Sequence, residues 1–474
     1  MNGSRTSIRA AVEDLCAFIG FPSVSAQPHR AVDVRTAAAW LADRLRRAGL
    51  QDVRQIRTSR HPAVIGEWRN APDRPTVLIY GHYDVQPADQ ADTWRSSPFV
   101  ADVRGDRLYG RGASDDKGQL LCHVEAIERR LRFRGQLPVN VVCLFEGEEE
   151  IGSPNLEEVL TASFSFLDAD VIVASDTRMI GPACPALIYA LRGSLAMELE
   201  VSGPAADLHS GVYGGAVHNP LQALCELVTS FHDRHGRVLV PGFYHGRRPL
   251  SAAERADLRR SGPTDAEFLR RAGTARPWGA YGRTLYERTT LWPALTINGL
   301  SGGYQGPGGK SVIPAAAAAK ISARLVADQD PWETADAIAR HVARHTAPGV
   351  QAKVNVIYAA EPVVLDRQSI AMSAGAAAYR YSFGAAPVFQ RSGGTIPAVA
   401  LFKQLLGLDT VLLGFGLPDD HIHAPNESIH LPTFQRGIVA AGRFLDEVGS
   451  RFQRRRGPGG ERWPSGRPLT IWDT

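Results

Sequence analysis

Four short stretches of the chain are almost unbroken apolar runs: TVLIY (76–80), VNVVCLF (139–145), DVIVAS (170–175) and TVLLGFG (410–416). A strand with one wet face alternates polar and apolar residues, whereas a strand buried on both faces has no reason to. Runs of this kind therefore demand a parallel sheet with helices over both faces. The intervening sequence supplies them. Residues 6–18 and 31–48 carry helical apolar spacing, Gly49 marks a stop, and KGQLLCHVEAIERRLRFRG (117–135) provides a crossover helix between the first two runs. The expected fold class is α/β, a mostly parallel sheet with flanking helices.

The middle of the chain has a different texture. SLAMELEVSG (194–203) alternates like a half-exposed strand, NPLQALCELVTSFHDRH (219–235) and PWETADAIARHVARH (331–345) read as helices, and AAAAKISARLVA (316–327) and QAKVNVIYAAEP (351–362) as strands. This pattern predicts a smaller α+β domain inserted into the sheet domain, with the turn-rich stretch 241–296 as a long excursion from it. The predicted division is 1–191 with 363–450 for the sheet domain, 192–362 for the insert, and 451–474 for a basic tail without a core of its own.

Each apolar run is followed by groups that bind metals. His82 and Asp84 follow the first, Glu146 to Glu150 the second, Asp176 the third, and Asp419, Asp420, His421 and His423 the fourth; Asp115 and Asp116 open the 117–135 helix. Taken singly, these are a turn, a helix N-cap, a solvated glutamate loop and surface imidazoles. Taken together they matter, because open α/β sheets bind ligands at the carboxyl ends of their strands. Two imidazoles with several carboxylates and no thiolate describe a divalent-ion site, zinc first and manganese or cobalt next. The ligands outnumber what one catalytic ion needs, which points to two ions per chain bridged by one carboxylate.

These residues resemble the co-catalytic dizinc exopeptidases and amidohydrolases, the family of acetylornithine deacetylase, succinyl-diaminopimelate desuccinylase, aminoacylase, glutamate carboxypeptidase and the carnosine-type cytosolic dipeptidases. GHYDVQP (81–87), YGRGASDDKG (109–118), EGEEEIGSPNL (146–156), DLHSGVYGG (207–215), QRSGGTIPA (390–398) and HAPNE (423–427) occur in the family's order and roughly its spacing. The long excursion, DLHSGVYGG and PGFY look like the dipeptidase branch. The resemblance implies a catalytic sheet domain and an inserted lid domain that makes a homodimer.

It also implies roles. His82 and Asp176 would bind one ion, Glu150 and His423 the other, and Asp115 would bridge them, with a cis peptide between Asp115 and Asp116. Asp84 would hold the His82 imidazole in one tautomer, which the His-x-Asp spacing also suits. Glu149 would be the general base; alignment on Gly152 and Ser153 selects it from the three glutamates, with a slip of one residue as the alternative. His209 would reach the partner's active site and stabilise the oxyanion, while Arg324, Gly393, Gly394 and Thr395 would bind the substrate's terminal carboxylate. Residues 362–385 contain no histidine to match the additional substrate contact of carnosine-type enzymes, which argues against carnosine itself.

The implied activity is hydrolysis of dipeptides or related amides with a free carboxylate by metal-activated water. N-acyl amino acid deacylation is the rival within the mechanism. A binding protein on the same scaffold would have lost the base or a ligand, and none is lost. Charge and composition add exclusions. The formal net charge is +4, and the tail from 451, with six Arg against Glu461 and Asp473, accounts for all of it, so the body implies no nucleic-acid or membrane partner. No 18-residue apolar span or signal-like start is present, and five separated cysteines (16, 122, 143, 184, 225) suggest buried, reduced thiols in a cytoplasmic protein.

Overall fold

The four apolar runs become adjacent parallel strands, in the spatial order Asn140–Glu146, Thr76–His82, Val171–Ala174 and Thr410–Leu412. They belong to a computed structural model that describes residues 2–88, 91–162, 168–279 and 281–452; the predicted tail lies, from 453 onward, outside the described residues. Every residue of the four strands is buried. Antiparallel strands extend the sheet on both sides. Asp52–Ile56 and Ala63–Trp68 continue it beyond Asn140–Glu146, and Ala186–Leu191 pairs with Thr410–Leu412.

The helix Lys117–Arg134 buries Leu120, Leu121, Val124 and Ile127, and ends where Gly135 takes a left-handed conformation and donates its N–H to the Leu131 carbonyl. At the carboxyl end of Thr410–Leu412 the strand stops early. A side chain at Gly414 would collide with the Thr177 backbone, and the Gln119 side-chain oxygen accepts the Phe415 and Gly416 N–H groups, the latter shared with the Thr177 carbonyl.

The chain forms two compact units. The first holds residues up to Tyr189, Leu365–Phe389 and those from Leu401 on; the second holds Ala190–Val364 and Gln390–Ala400. The 390–400 segment, which carries Gly394 and Thr395, thus groups with the second unit. That unit is α+β: a four-stranded antiparallel sheet in the order Ala294–Gly302, Ala316–Leu325, Gly193–Ser202, Gln351–Ala360. Helices Pro220–Ser230 and Pro331–His345 pack on it around Leu195, Met197, Leu224, Ile321 and Ile338. The 241–296 excursion is more ordered than its turn signals suggest. It contains the short helices Ala252–Ser261, Asp265–Ala272 and Leu285–Thr290, capped by the hydroxyls of Ser251, Thr264 and Thr284.

The cysteines require a correction. All five are free, but only Cys122 and Cys143 are buried, while Cys184 and Cys225 are exposed. Cys225 has apolar neighbours in sequence because it lies on an amphipathic helix, and Ala223, Leu224 and Leu227 take the inward face.

Candidate metal centre

His82 is the last residue of its strand and is registered against Glu146, so the turn that follows Glu146 begins beside the imidazole. The His82 side chain is wholly buried. Its Nδ1 lies 3.1 Å from the Asp84 carbonyl oxygen and 3.4 Å from the Asp84 carboxylate, which directs Nε2 to Asp115 Oδ1 at 3.1 Å. The Asp84 carboxylate does more than orient one ring. It accepts the Ser25 hydroxyl at 2.6 Å and the backbone N–H groups of Glu149 and Glu150 at 3.2 and 3.0 Å, fixing the second strand's loop to the first.

The three glutamates divide by their partners. Glu148 is saturated by Thr58 Oγ1, His61 N–H and Asn155 Nδ2, and belongs to neither ligand group. Glu150 accepts from Gln86 Nε2 at 2.7 Å and lies 3.3 Å from His423 Nε2. Glu149 has neither set of contacts; its carboxyl stays half-buried beside the cluster.

The residues from five segments converge in two groups. His82, Asp115 and Asp176 form one, and Asp115, Glu150 and His423 the other; within each, one ligand atom per residue lies within 4.8 Å of the others. Asp115 is common to both, with Oδ1 toward His82 and Oδ2 toward His423 at 2.8 Å. The Asp115–Asp116 peptide is cis, as the resemblance implies.

The electrostatics show a cluster short of positive charge. Burial, then repulsion from neighbouring carboxylates, raises the pKa of Glu149, Glu150 and Asp176, although His82 moderates it. Burial opposes charge on the imidazoles, yet the hydrogen bonds they donate to Asp115 and its fellow acids outweigh it: His82 is pushed well up and His423 to about 11. Asp115 is driven down despite its burial by those two rings. Hard cations relieve this crowding. Two imidazoles and three carboxylates, all N and O donors with one shared oxygen pair, suit two divalent ions.

In the second unit, Arg324 Nη1 donates to Thr395 Oγ1 at 2.8 Å, and that hydroxyl donates to the Arg192 carbonyl at 2.7 Å. Arg192 N–H donates to the Gly394 carbonyl, and Arg192 Nε to that of Gly393. Arg324 and the 393–395 loop are therefore brought together. His209 is exposed, at the start of the short helix Ser210–Tyr213, and its Nδ1 accepts the Gly211 N–H. One buried acid was passed over. Glu427, the last residue of the HAPNE motif, is wholly buried and binds the loop that carries Asp115; a charged residue ending a ligand motif was its only signal.

The chain is similar to known proteins along most of its length. The Cys-Gly metallodipeptidase DUG1 of Candida albicans is 33% identical over 459 residues, covering 92% of this chain and 94% of the relative. The human Beta-Ala-His dipeptidase is 32% identical over 403 residues, 82% and 77% of the two chains. Among solved structures, human carnosine dipeptidase 1 superposes with a TM-score of 0.84 at 29% identity over 95% of this chain and 98% of that one. An M20 family metallo-carboxypeptidase from Sulfolobus solfataricus gives 0.84 at 31%, over 93% and 99%. The match to the family model spans residues 78–447, from the strand that ends in His82 to the helix beyond His423, and places this chain in Peptidase family M20/M25/M40.

Proposed function

We propose that the protein is a metal-dependent dipeptidase with two divalent ions per chain, zinc in the first instance. The observation that carries this reading is the sharing of Asp115 between two ligand groups, each completed by a histidine and a second acid. When bound, the ions supply Lewis-acid chemistry: they polarise the scissile carbonyl and acidify the attacking water.

The remaining work falls to the chain. Glu149 takes the water proton as the oxygen adds to the carbonyl carbon, then delivers it to the amine nitrogen as the C–N bond breaks. Asp84 keeps the His82 proton on Nδ1, leaving Nε2 as the donor atom. Arg324 and Thr395, with the Gly394 backbone, hold the substrate's terminal carboxylate, for which a planar guanidinium is suited. The partner subunit's His209 stabilises the oxyanion in a homodimer.

Dipeptides are preferred over N-acyl amino acids because the Candida albicans and human relatives named above are dipeptidases. Free cysteines suit a reducing, cytoplasmic setting. The test is a panel of dipeptides and N-acyl amino acids, assayed with zinc, manganese or cobalt. Hydrolysis of dipeptides with a free amine and free carboxylate is expected; turnover confined to acylated amino acids would replace this reading with the deacylase one. The dimer is tested by mixing inactive Glu149→Ala and His209→Ala chains. Recovery of about a quarter of wild-type activity after random pairing is expected; none, in a mixture that does exchange subunits, would remove the shared site.

A further inference from the structure

The segment bearing His423 has an awkward backbone. His421, His423 and Asn426 all have positive φ, at 56°, 59° and 63°, a conformation that L-residues adopt at a cost and keep only when their surroundings hold them. The His423 side chain is 52% exposed, so packing does not hold it. Two acids do, one at each end. Asp420 accepts the Ser114 hydroxyl at 2.7 Å, Arg107 Nη1 at 2.8 Å and the Leu417 N–H at 2.6 Å.

Glu427, four residues beyond His423, is bound more fully. Its Oε1 accepts the N–H groups of Ser114 and Asp115, each at 3.0 Å; its Oε2 accepts the Gly112 N–H at 3.0 Å and Arg111 Nη1 at 2.8 Å. Its backbone carbonyl accepts the Gly110 N–H at 2.9 Å. Both Glu427 and Arg111 are almost wholly buried, at 0% and 2% exposure. Three amides of one loop thus converge on a single carboxylate that lies on the other loop. Each of its oxygens faces two donors, so no neutral side chain of the same shape satisfies all four: a glutamine would turn its own NH₂ toward one pair.

We propose that Glu427 is a positioning residue that ties the Asp115 loop to the His423 loop and thereby sets the affinity of the ion taken by Asp115, Glu150 and His423. This rests on reading those three as metal ligands. The carboxylate fixes the Asp115 backbone and, through three intervening residues, the ring that meets Asp115 Oδ2 at 2.8 Å. Without it, the left-handed turns at His421 and His423 lose their most fully bound anchor and keep only Asp420 and the Asn426 side chain, which accepts the Arg95 N–H and donates to the Thr93 carbonyl, so the ion must order the loop as it binds.

The test is equilibrium dialysis of the full-length protein against zinc-buffered solutions, counting ions per chain for wild type and Glu427→Gln. Wild type is expected to take two ions. In the variant one binding step should weaken by about 10–100-fold, the usual effect of losing an outer partner of a metal ligand, while the step involving His82 and Asp176 moves less. Amide hydrogen exchange of the ion-free proteins should show faster exchange in the variant over 112–115 and 421–427. If Glu427→Gln does not fold, Glu427→Asp, which keeps the charge but withdraws it by one methylene, takes its place with a smaller shift expected. A folded variant with a lower melting temperature but both binding steps unmoved would overturn the proposal alone. A wild-type chain that takes up no ion would overturn the metal reading itself, and this proposal with it.

Discussion

The two units hold their polar groups in opposite ways. In the first, His82, Asp84 and Glu427 are wholly buried, and each carboxylate is filled by three or four donors. In the second, Arg324 makes one side-chain hydrogen bond among the described residues, to Thr395, and His209 is exposed with its Nδ1 turned back on its own backbone. A guanidinium has five donor hydrogens, so most of the capacity of Arg324 stays open. The first arrangement is finished before any ligand arrives and costs dearly to disturb. The second is completed by what binds it, so damage there should appear in substrate affinity more than in chemistry.

The contrast can be broken at several points. Chelation should abolish hydrolysis completely, with return on adding zinc; activity that survives in ion-free protein would remove the basis of the comparison. Glu149→Gln should lower kcat by about 100–10,000-fold with two ions still bound, as loss of a general base does. Metal loss from that variant, with Glu150→Gln retaining both ions, would show that the two glutamates exchange roles.

Acidification comes next. In the ion-free chain the surrounding acids, despite burial, raise the pKa of His82 and push that of His423 to about 11, so ring protonation competes with coordination. Ion affinity should therefore rise with pH, by up to about tenfold per unit for each proton released. Calorimetric titration in buffers of different ionisation enthalpy measures that release; zero protons would contradict the raised pKa values. Asp84→Asn should weaken metal affinity by about 10–100-fold. The smallest effect belongs to the second unit. Arg324→Gln should raise KM for free-carboxylate dipeptides by about tenfold, the value of one charge-assisted hydrogen bond, and leave C-terminally amidated dipeptides unaffected. An equal loss with both substrates would assign Arg324 to structure.

Local sequence reveals what local physics determines. The four central strands are legible because burial on both faces suppresses alternation, and His82, Glu150 and Asp176 because each sits within a few residues of a strand end. Helix Pro331–His345 is legible from its proline start and amphipathic spacing. The Ala63–Trp68 strand escapes notice although every residue is buried, because Gly66 and Glu67 break its apolar run; Glu67 is neutralised by Arg54 and Arg69, partners that sequence does not pair with it. Glu427 escapes for a related reason. Its partners lie more than 310 positions away, and a glutamate near a loop end looks solvated until they are known.

The strand Thr410–Leu412 is a keystone in time as well as space. It sits between Val171–Ala174 and Ala186–Leu191, both made long before it, with the whole second unit translated in between. Until it emerges from the ribosome, those two strands each present an unpaired backbone edge, and His423 does not yet exist. Synthesis from the N-terminus therefore produces an incomplete sheet that invites pairing with other nascent chains. The group of Asp115, Glu150 and His423 therefore cannot assemble until both of those strands and the whole second unit have been translated.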